Sequence, residues 1–293
     1  MGDSRILALR AGELALELAP SQGGGILAFR RGAVDLMRPT KPADLAAGAV
    51  RQFASWPLVP YSNRIRNGRF AWRGRAIQLP TDATDPHAIH GVGWRRPWTV
   101  RDASESAVCL DLVHAQDASW PFAFSAQQCF ALDADGFELW MSVTNTGTEP
   151  MPAGLGPHPY FPRDARTTLA FAATHAFEND AEKIPLRLVK VPQALDFSTA
   201  KPVDAHPFDT VFLGWKGPVR IAWPQHRLGL TLTADEIFNR LVVYVPPGEK
   251  FFAIETVTHD TDALNRPGDT GMVALAPGDS LAGSMRYTVE ELS

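Results

Sequence analysis

The run ILALRAGELALEL, Ile6 to Leu18, alternates apolar and polar residues on both sides of Ala11-Gly12. A side-chain period of two leaves one face of each half apolar, so the segment reads as two antiparallel strands closed by a tight turn. The device recurs. GGILAFRRGAVDLM turns at Arg31-Gly32, RFAWRGRAIQLP at Arg73-Gly74, and FAFSAQQCFALDADGFELWMSVTNTG between Asp133 and Gly136. Asn67-Gly68 predicts another hairpin, because both residues tolerate positive φ. The later runs VRIAW, LGLTLTA, LVVYVPP, FFAIETVT and LAGSMRYTVEEL continue the strand pattern to the end of the chain. Helical periodicity is scarce, with one or two turns expected in TADEIFNRL. The 24 prolines and 23 glycines are spread between the runs as turn punctuation, with no linker cluster. The chain therefore reads as all-β, a large antiparallel β-sandwich. Its 293 residues would allow two domains, but all-β chains of roughly 200–250 residues often form one, and one domain over 1–293 is expected.

Composition narrows the function classes. A net charge of -4 argues against a nucleic-acid surface, which would carry a basic stripe. The N-terminal MGDSRILALRAGEL has no apolar signal-peptide core, and no stretch approaches the ~18 apolar residues of a membrane span. A cytoplasmic protein is expected, with no membrane or nucleic-acid partner. Cys109 and Cys129 are too few for a disulfide framework. They fall in neighbouring strands, so one bridge is conceivable, but reduced and half-buried thiols are the expectation.

Chemistry must come from polar residues embedded in apolar context. In HAIHGVGWRRPW, His90 precedes Gly91, Trp94 and Trp98, and a loop histidine beside core tryptophans would explain it. In GLGPHPYF, His158 lies between Pro157 and Pro159, which fix the backbone and remove two main-chain donors. A rigid turn and a functional histidine explain that setting equally well. Asp209 in AHPFDTVF reads, by itself, as a turn-capping aspartate. Glu255 in KFFAIETVTHD is different: it interrupts large apolar residues of a buried strand, where an isolated carboxylate needs a partner or a proton.

The order of these residues adds a constraint. Asn63-Arg64-Ile65, His90-Gly91, His158-Pro159-Tyr160-Phe161, Asp209 and Glu255, in that order, resemble the ordered set of the aldose 1-epimerases, the galactose mutarotase family. WPLVPYSNRIRNGRF and the closing DALNRPGDTGMVALAPGDS extend the resemblance over nearly the whole chain. Two positions depart from it: Glu255 is followed by Thr256-Val257 where the family often has Pro-Gln, and the surroundings of Asp209 match only through FDTVF.

The resemblance implies a supersandwich fold and interconversion of the α and β anomers of a free aldose, with no metal, nucleotide or redox cofactor. Ring opening takes a proton from the anomeric hydroxyl O1 and delivers one to the ring oxygen O5; closure after rotation about C1–C2 reverses both transfers. By resemblance Glu255 is the base at O1, His158 the acid at O5, and His90 a donor to a neighbouring sugar oxygen. Arg64, beside Asn63, would hold hydroxyls through its fork of donors. Asp209 would accept from hydroxyls, and Trp94, Tyr160 and Phe212 would line the apolar face of the sugar. The partner is thus a small-molecule sugar, and the protein a monomer or homodimer. Three rivals are weighed. A hexose 6-phosphate epimerase would use Arg64, Arg66, Arg69, Arg95 and Arg96 on the phosphate, although a solvated hairpin face explains most of these arginines. A non-catalytic sugar-binding sandwich would be expected to lack one of the acid–base pair. A metal enzyme would use His87, His90 and His158, but HAIH only partly matches ligand spacing.

Overall fold

The computed structural model describes residues 6–81, 84–203 and 206–292. Strands dominate them, as the alternation predicts. Leu7–Ala11, Leu14–Ala19, Gly25–Arg31 and Val34–Asp35 form a four-stranded antiparallel sheet in chain order. The largest sheet has nine strands and is built around Phe124–Asp133 and Gly136–Asn145, which pair along their whole length, with Ser280–Glu291 alongside. A six-stranded sheet runs in the order Tyr160–Pro162, Phe251–Val257, Arg240–Val245, Phe208–Leu213, His175–Asn179 and Pro185–Lys190.

The main core lies where these sheets face one another. Phe137 and Tyr287, from neighbouring strands of the nine-stranded sheet, stack with ring centroids 4.5 Å apart, and Phe29 of the four-stranded sheet meets Phe137 edge-on at 4.8 Å. Thr256 of the six-stranded sheet reaches Met285 of the nine-stranded one. Rings of this size each remove some 150–250 Å² from water and dominate the burial energy. The strand Phe251–Val257 is buried on both faces. Its even-numbered residues Phe252 and Ile254 join the main core. The odd-numbered Ala253 and Val257 join a second apolar cluster with Trp56, Tyr160, Val211 and Val242 on the sheet's other face. Glu255 points with the odd-numbered set, which is what places a carboxylate beneath a cleft and not inside the sandwich.

Several expectations are corrected by these pairings. Asn67-Gly68 does not close a hairpin: Arg64–Ile65 pairs with Ala88–Ile89, and residues 66–68 form a short 3-10 turn leading into Arg69–Trp72. Asn67 does take positive φ (52°), as its sequence signal required, but the strand before it has a different partner. TADEIFNRL is strand and turn; among the described residues the α-helix that forms is Pro42–Ala46, opened by its proline. Asp209 lies in the strand Phe208–Leu213, not in a turn. Cys109 and Cys129 are not reduced thiols. They directly oppose each other on adjacent strands with Cα atoms 4.1 Å apart and are joined by a disulfide. Facing positions in an antiparallel pair hold side chains close enough for that bond; the half-buried setting was as expected. No helix among the described residues is long and apolar enough to cross a membrane.

One buried charge cluster fastens the loop after Val257 to the sheet. Asp260 accepts from Arg240 Nε at 2.6 Å and from Arg266 Nη1 at 3.0 Å, with all three side chains largely out of solvent. Two residues on, Asp262 donates its amide to the Arg64 carbonyl and accepts from the Arg66 amide, so the loop also braces the Arg64 strand. Removing one partner of a buried ion pair strands the other charge, at a cost of about 3–5 kcal/mol. Urea denaturation of Asp260→Ala should show a loss of about that size, as a lower midpoint at unchanged slope.

Candidate active site

The six-stranded sheet arranges its cleft-facing residues by register. Tyr160 opposes Ala253, Ala253 opposes Tyr244, and Tyr244 opposes Asp209, making one row across four strands. One side-chain step along, Glu255 opposes Val242 and Val242 opposes Val211. Because i and i+2 share a face in a strand, Tyr244, Asp209 and Glu255 face the same side. That parity sends Phe212 the other way, into the main core, so it is not a cleft residue.

The walls come from loops. Amides of His158 and Tyr160 donate to the carbonyls of Trp56 and Ala54, aligning the two segments so that the His158 and Trp56 rings stack at 4.3 Å. His90 stands edge-on to both, at 5.2 Å from His158 and 5.0 Å from Trp56. His90 and Gly91 both have left-handed backbones, with φ of 66° and 67°. A Cβ on Gly91 would lie 2.3 Å from the Val59 carbonyl oxygen, so only glycine fits this close approach. The turn lets the Asn63 amide donate to His90 Nδ1 at 3.0 Å. With Nδ1 an acceptor, the neutral ring carries its proton on Nε2. Asn63, itself left-handed at φ 55°, accepts through Oδ1 from the Arg64 amide and, at 3.4 Å, from Arg64 Nη1.

These elements enclose a cleft of about 260 Å³. Arg64, Asn63, His90, His158, Tyr160, Asp209 and Glu255, all singled out in the sequence, line it together. Trp94 does not: it sits behind the wall against Trp56, with ring centroids 5.4 Å apart. Of the arginines weighed for a phosphate, Arg66, Arg69, Arg95 and Arg96 are outside the lining. Arg66 is paired with Asp180 and Arg96 with Asp117, both side chains staying more than a third exposed. His87 also lies outside, with Nδ1 accepting from the Asn67 amide. Among the described residues, no three His, Cys, Asp or Glu side chains are grouped to hold a metal ion.

Other lining residues carried no sequence signal. Trp56 opens the segment WPLVPYSNRIRNGRF but had no role assigned to it there, and Lys183 sits in ENDAEKIP, which reads as a solvated turn. Asp85 pairs with Arg64 Nε at 2.9 Å. Asp209 Oδ2 lies 3.7 Å from Arg64 Nη1 and 3.1 Å from Lys183 Nζ. One wall is therefore a row of alternating charge: Asp85, Arg64, Asp209, Lys183.

At the floor, His158 Nε2 lies 3.2 Å from Glu255 Oε1, and both side chains are almost fully buried. Burial holds both groups toward neutrality. It lowers His158 to about 3, helped by Arg38 and Arg51. It raises Glu255 well above the usual carboxylate range, helped by Asp209 and opposed by Arg64. An ion pair at this distance would favour charge on both, but the loss of hydration outweighs it and favours a neutral imidazole against a protonated carboxyl. No donor among the described residues reaches Glu255 Oε2. A buried carboxylate oxygen facing a cleft in this way is ready for a ligand hydroxyl. Burial also lowers His90 well below its ordinary value, followed by the charges of His158 and Arg64.

A family model described as aldose 1-epimerase matches residues 6–288. The chain belongs to the aldose 1-epimerase family. It is 34% identical to the uncharacterized protein YphB of Escherichia coli K12, over 98% of this chain and 99% of that one. A crystal structure of a provisionally named aldose 1-epimerase from E. coli K12 superposes with a TM-score of 0.90 at 32% identity, covering 98% and 99% of the two chains. A galactose mutarotase-like protein from Clostridium acetobutylicum shares the fold, with a TM-score of 0.87 at 19% identity and coverage of 99% and 96%. Membership makes the protein a sugar isomerase of the mutarotase type.

The histidine shifts give a test. NMR of the imidazole nitrogens should show His90 as the Nε2–H tautomer, protonating only below the ordinary histidine range, and His158 uncharged until the pH approaches about 3. The sign for stability follows from depressed folded values: below about 6.5 the unfolded chain binds these protons and the folded chain does not. The stability contributed by neutral His158 is therefore complete above about 6.5 and is lost as pH falls toward about 3.

Proposed function

We propose that this protein interconverts the α and β anomers of a free aldose by general acid–base catalysis, with Glu255 and His158 as the reacting pair. The observation that carries the reading is their 3.2 Å contact at the buried floor of a polar cleft. Glu255 as base takes the O1 proton while His158 gives one to O5, and the C1–O5 bond breaks to leave the aldehyde. The pair needs its proton on His158 for this step. In the empty cleft burial favours Glu255 as its seat, whereas a sugar hydroxyl donating to the carboxylate, together with Arg64, favours the ionised form. The proton then has only the existing contact to cross. After rotation about C1–C2, His158 removes the O5 proton as O5 attacks C1, and Glu255 returns its proton to O1, now on the other face. His90, with its proton on Nε2, donates to a sugar oxygen, and Arg64, Asn63 and Asp209 hold hydroxyls. Trp56 and Tyr160 present apolar surface to the ring. The chemistry uses side chains alone.

A free sugar is favoured over its phosphate. A phosphate carries about -1.5 to -2 charge at neutral pH and calls for convergent cations. Of the three lining cations, Arg64 and Lys183 are matched by Asp85 and Asp209 and Arg51 lies over the Trp94 ring at 4.9 Å, a mixed lining suited to neutral hydroxyls, which both donate and accept. A purely sugar-binding role would leave the buried acid–base pair unused.

Polarimetry or exchange NMR on freshly dissolved α-anomers tests the reading. Glu255→Gln and His158→Asn should each lower kcat by at least ~10²-fold, and the double variant by less than the product, since acid and base act as one unit. Free hexoses or pentoses should be turned over with higher kcat/KM than their phosphates. Activity should hold across neutral pH, fall in acid as the pair gains a second proton, and fall in alkali as it loses its only one. Full activity in Glu255→Gln would show that the base is another group.

A further inference from the structure

The hairpin of His175–Asn179 and Pro185–Lys190 lies at the edge of the six-stranded sheet, and its tip is fastened on the cleft side. Asp180 organises the turn: its Oδ1 accepts from the amides of Glu182 and Ile184, and its carbonyl from the amide of Lys183. Its Oδ2 takes Arg66 Nη2 at 2.6 Å. Glu182 adds Arg66 Nη1 at 3.6 Å and faces His87 Nε2 at 3.7 Å. Lys183 follows with a left-handed backbone, φ 66°. Glycine or asparagine fills such a position with less strain than a long side chain does. The lysine stem instead runs into the cleft, where Nζ lies 3.1 Å from Asp209 Oδ2 and 5.2 Å from the Tyr244 ring centre.

The register fixes which part of a sugar this ammonium can meet. Asp209 is two strands from the Glu255 strand, roughly 9–10 Å, and its cross-strand row is displaced from Glu255 by two residues, roughly 7 Å. A pyranose whose C1 and O5 lie at Glu255 and His158 thus presents its remote edge toward Asp209 and Lys183. We propose that Lys183 is a specificity-determining residue, which with Asp209 selects the sugar by a hydroxyl remote from the anomeric carbon. That hydroxyl accepts from Nζ and donates to Oδ2, satisfying both members of the pair in place of their direct contact. The inference rests on the free-aldose reading above and adds to it the residue that reads configuration.

The test is kcat and KM for mutarotation of galactose and glucose and of their 2-, 3-, 4- and 6-deoxy analogues. Wild type is compared with Lys183→Met, which keeps the stem, and Lys183→Asn, which suits a left-handed backbone. In wild type, loss of one remote hydroxyl should lower kcat/KM about 10–100-fold, the scale of a hydrogen bond to a charged group, mainly through KM. Both variants should lose a similar factor on the parent sugar, with kcat within about 3-fold, and should no longer distinguish it from that one analogue. A variant that weakens all sugars equally, or keeps the wild-type discrimination, overturns the assignment while leaving the mutarotase reading intact. If wild type turns over no free aldose, the parent reading falls and takes this one with it.

Discussion

The central constraint in this structure is a carboxylate that has been taken out of water in the middle of a strand. Glu255 is 2% exposed, flanked by Ile254 and Thr256 that belong to the sandwich interior. It is tolerable there because the pleat turns it toward the cleft, where His158 meets one oxygen and the other is left for a ligand. An isolated buried carboxylate would cost several kcal/mol or simply hold its proton. Here His158 meets it across a 3.2 Å contact, and the same desolvation that makes the arrangement expensive shifts both groups toward their neutral forms.

Much of the surrounding architecture serves to keep that pair in place. The main-chain bonds from His158 to Trp56 and from Tyr160 to Ala54 clamp the histidine segment against the loop that also carries Asn63 and Arg64. Arg38 stacks on Tyr160 at 3.7 Å and donates to the carbonyls of Arg51 and Phe53, stiffening the wall from behind. His259 joins the same frame: it accepts the Ser62 amide through Nε2 and faces the Asp260 carbonyl through Nδ1. Burial lowers it to about 4, so it remains a neutral connector. The charged wall of the cleft, by contrast, is assembled from two strands, a loop and a hairpin tip, and the loop and the tip are elements whose lengths and turns can change without disturbing the sandwich.

The strand run, most of the hairpin turns and the antiparallel sandwich were legible from side-chain alternation alone, because that alternation is the direct consequence of burying one face of a strand. Glu255 was legible for a related reason: a charge within FFAIETV contradicts its neighbours, and the contradiction requires a partner. His158 between two prolines and His90 before Gly91 were ambiguous singly, and became a site only through their order along the chain. Asn67-Gly68 was misread because positive φ identifies a local bend, while the strand that pairs after the bend is a long-range choice. Cys109 and Cys129 show the same limit: their strands were recognised, but whether two residues face each other depends on register.

The sequence by itself determined the period of each segment, hence the sheets, and the presence of a carboxylate and histidines in apolar surroundings that demanded a use. Only the tertiary structure decided which of them meet. Cross-strand register put Tyr244, Asp209 and Glu255 on one face and turned Phe212 away. Loop packing moved Trp94 behind Trp56, and the anchoring of Asp180 by Arg66 carried Lys183, outwardly a solvated turn residue, to within 3.1 Å of Asp209. Pattern is a local property of the chain, fixed by the geometry of neighbouring residues, whereas distance between residues such as 66 and 180 is set by the packing of the whole molecule.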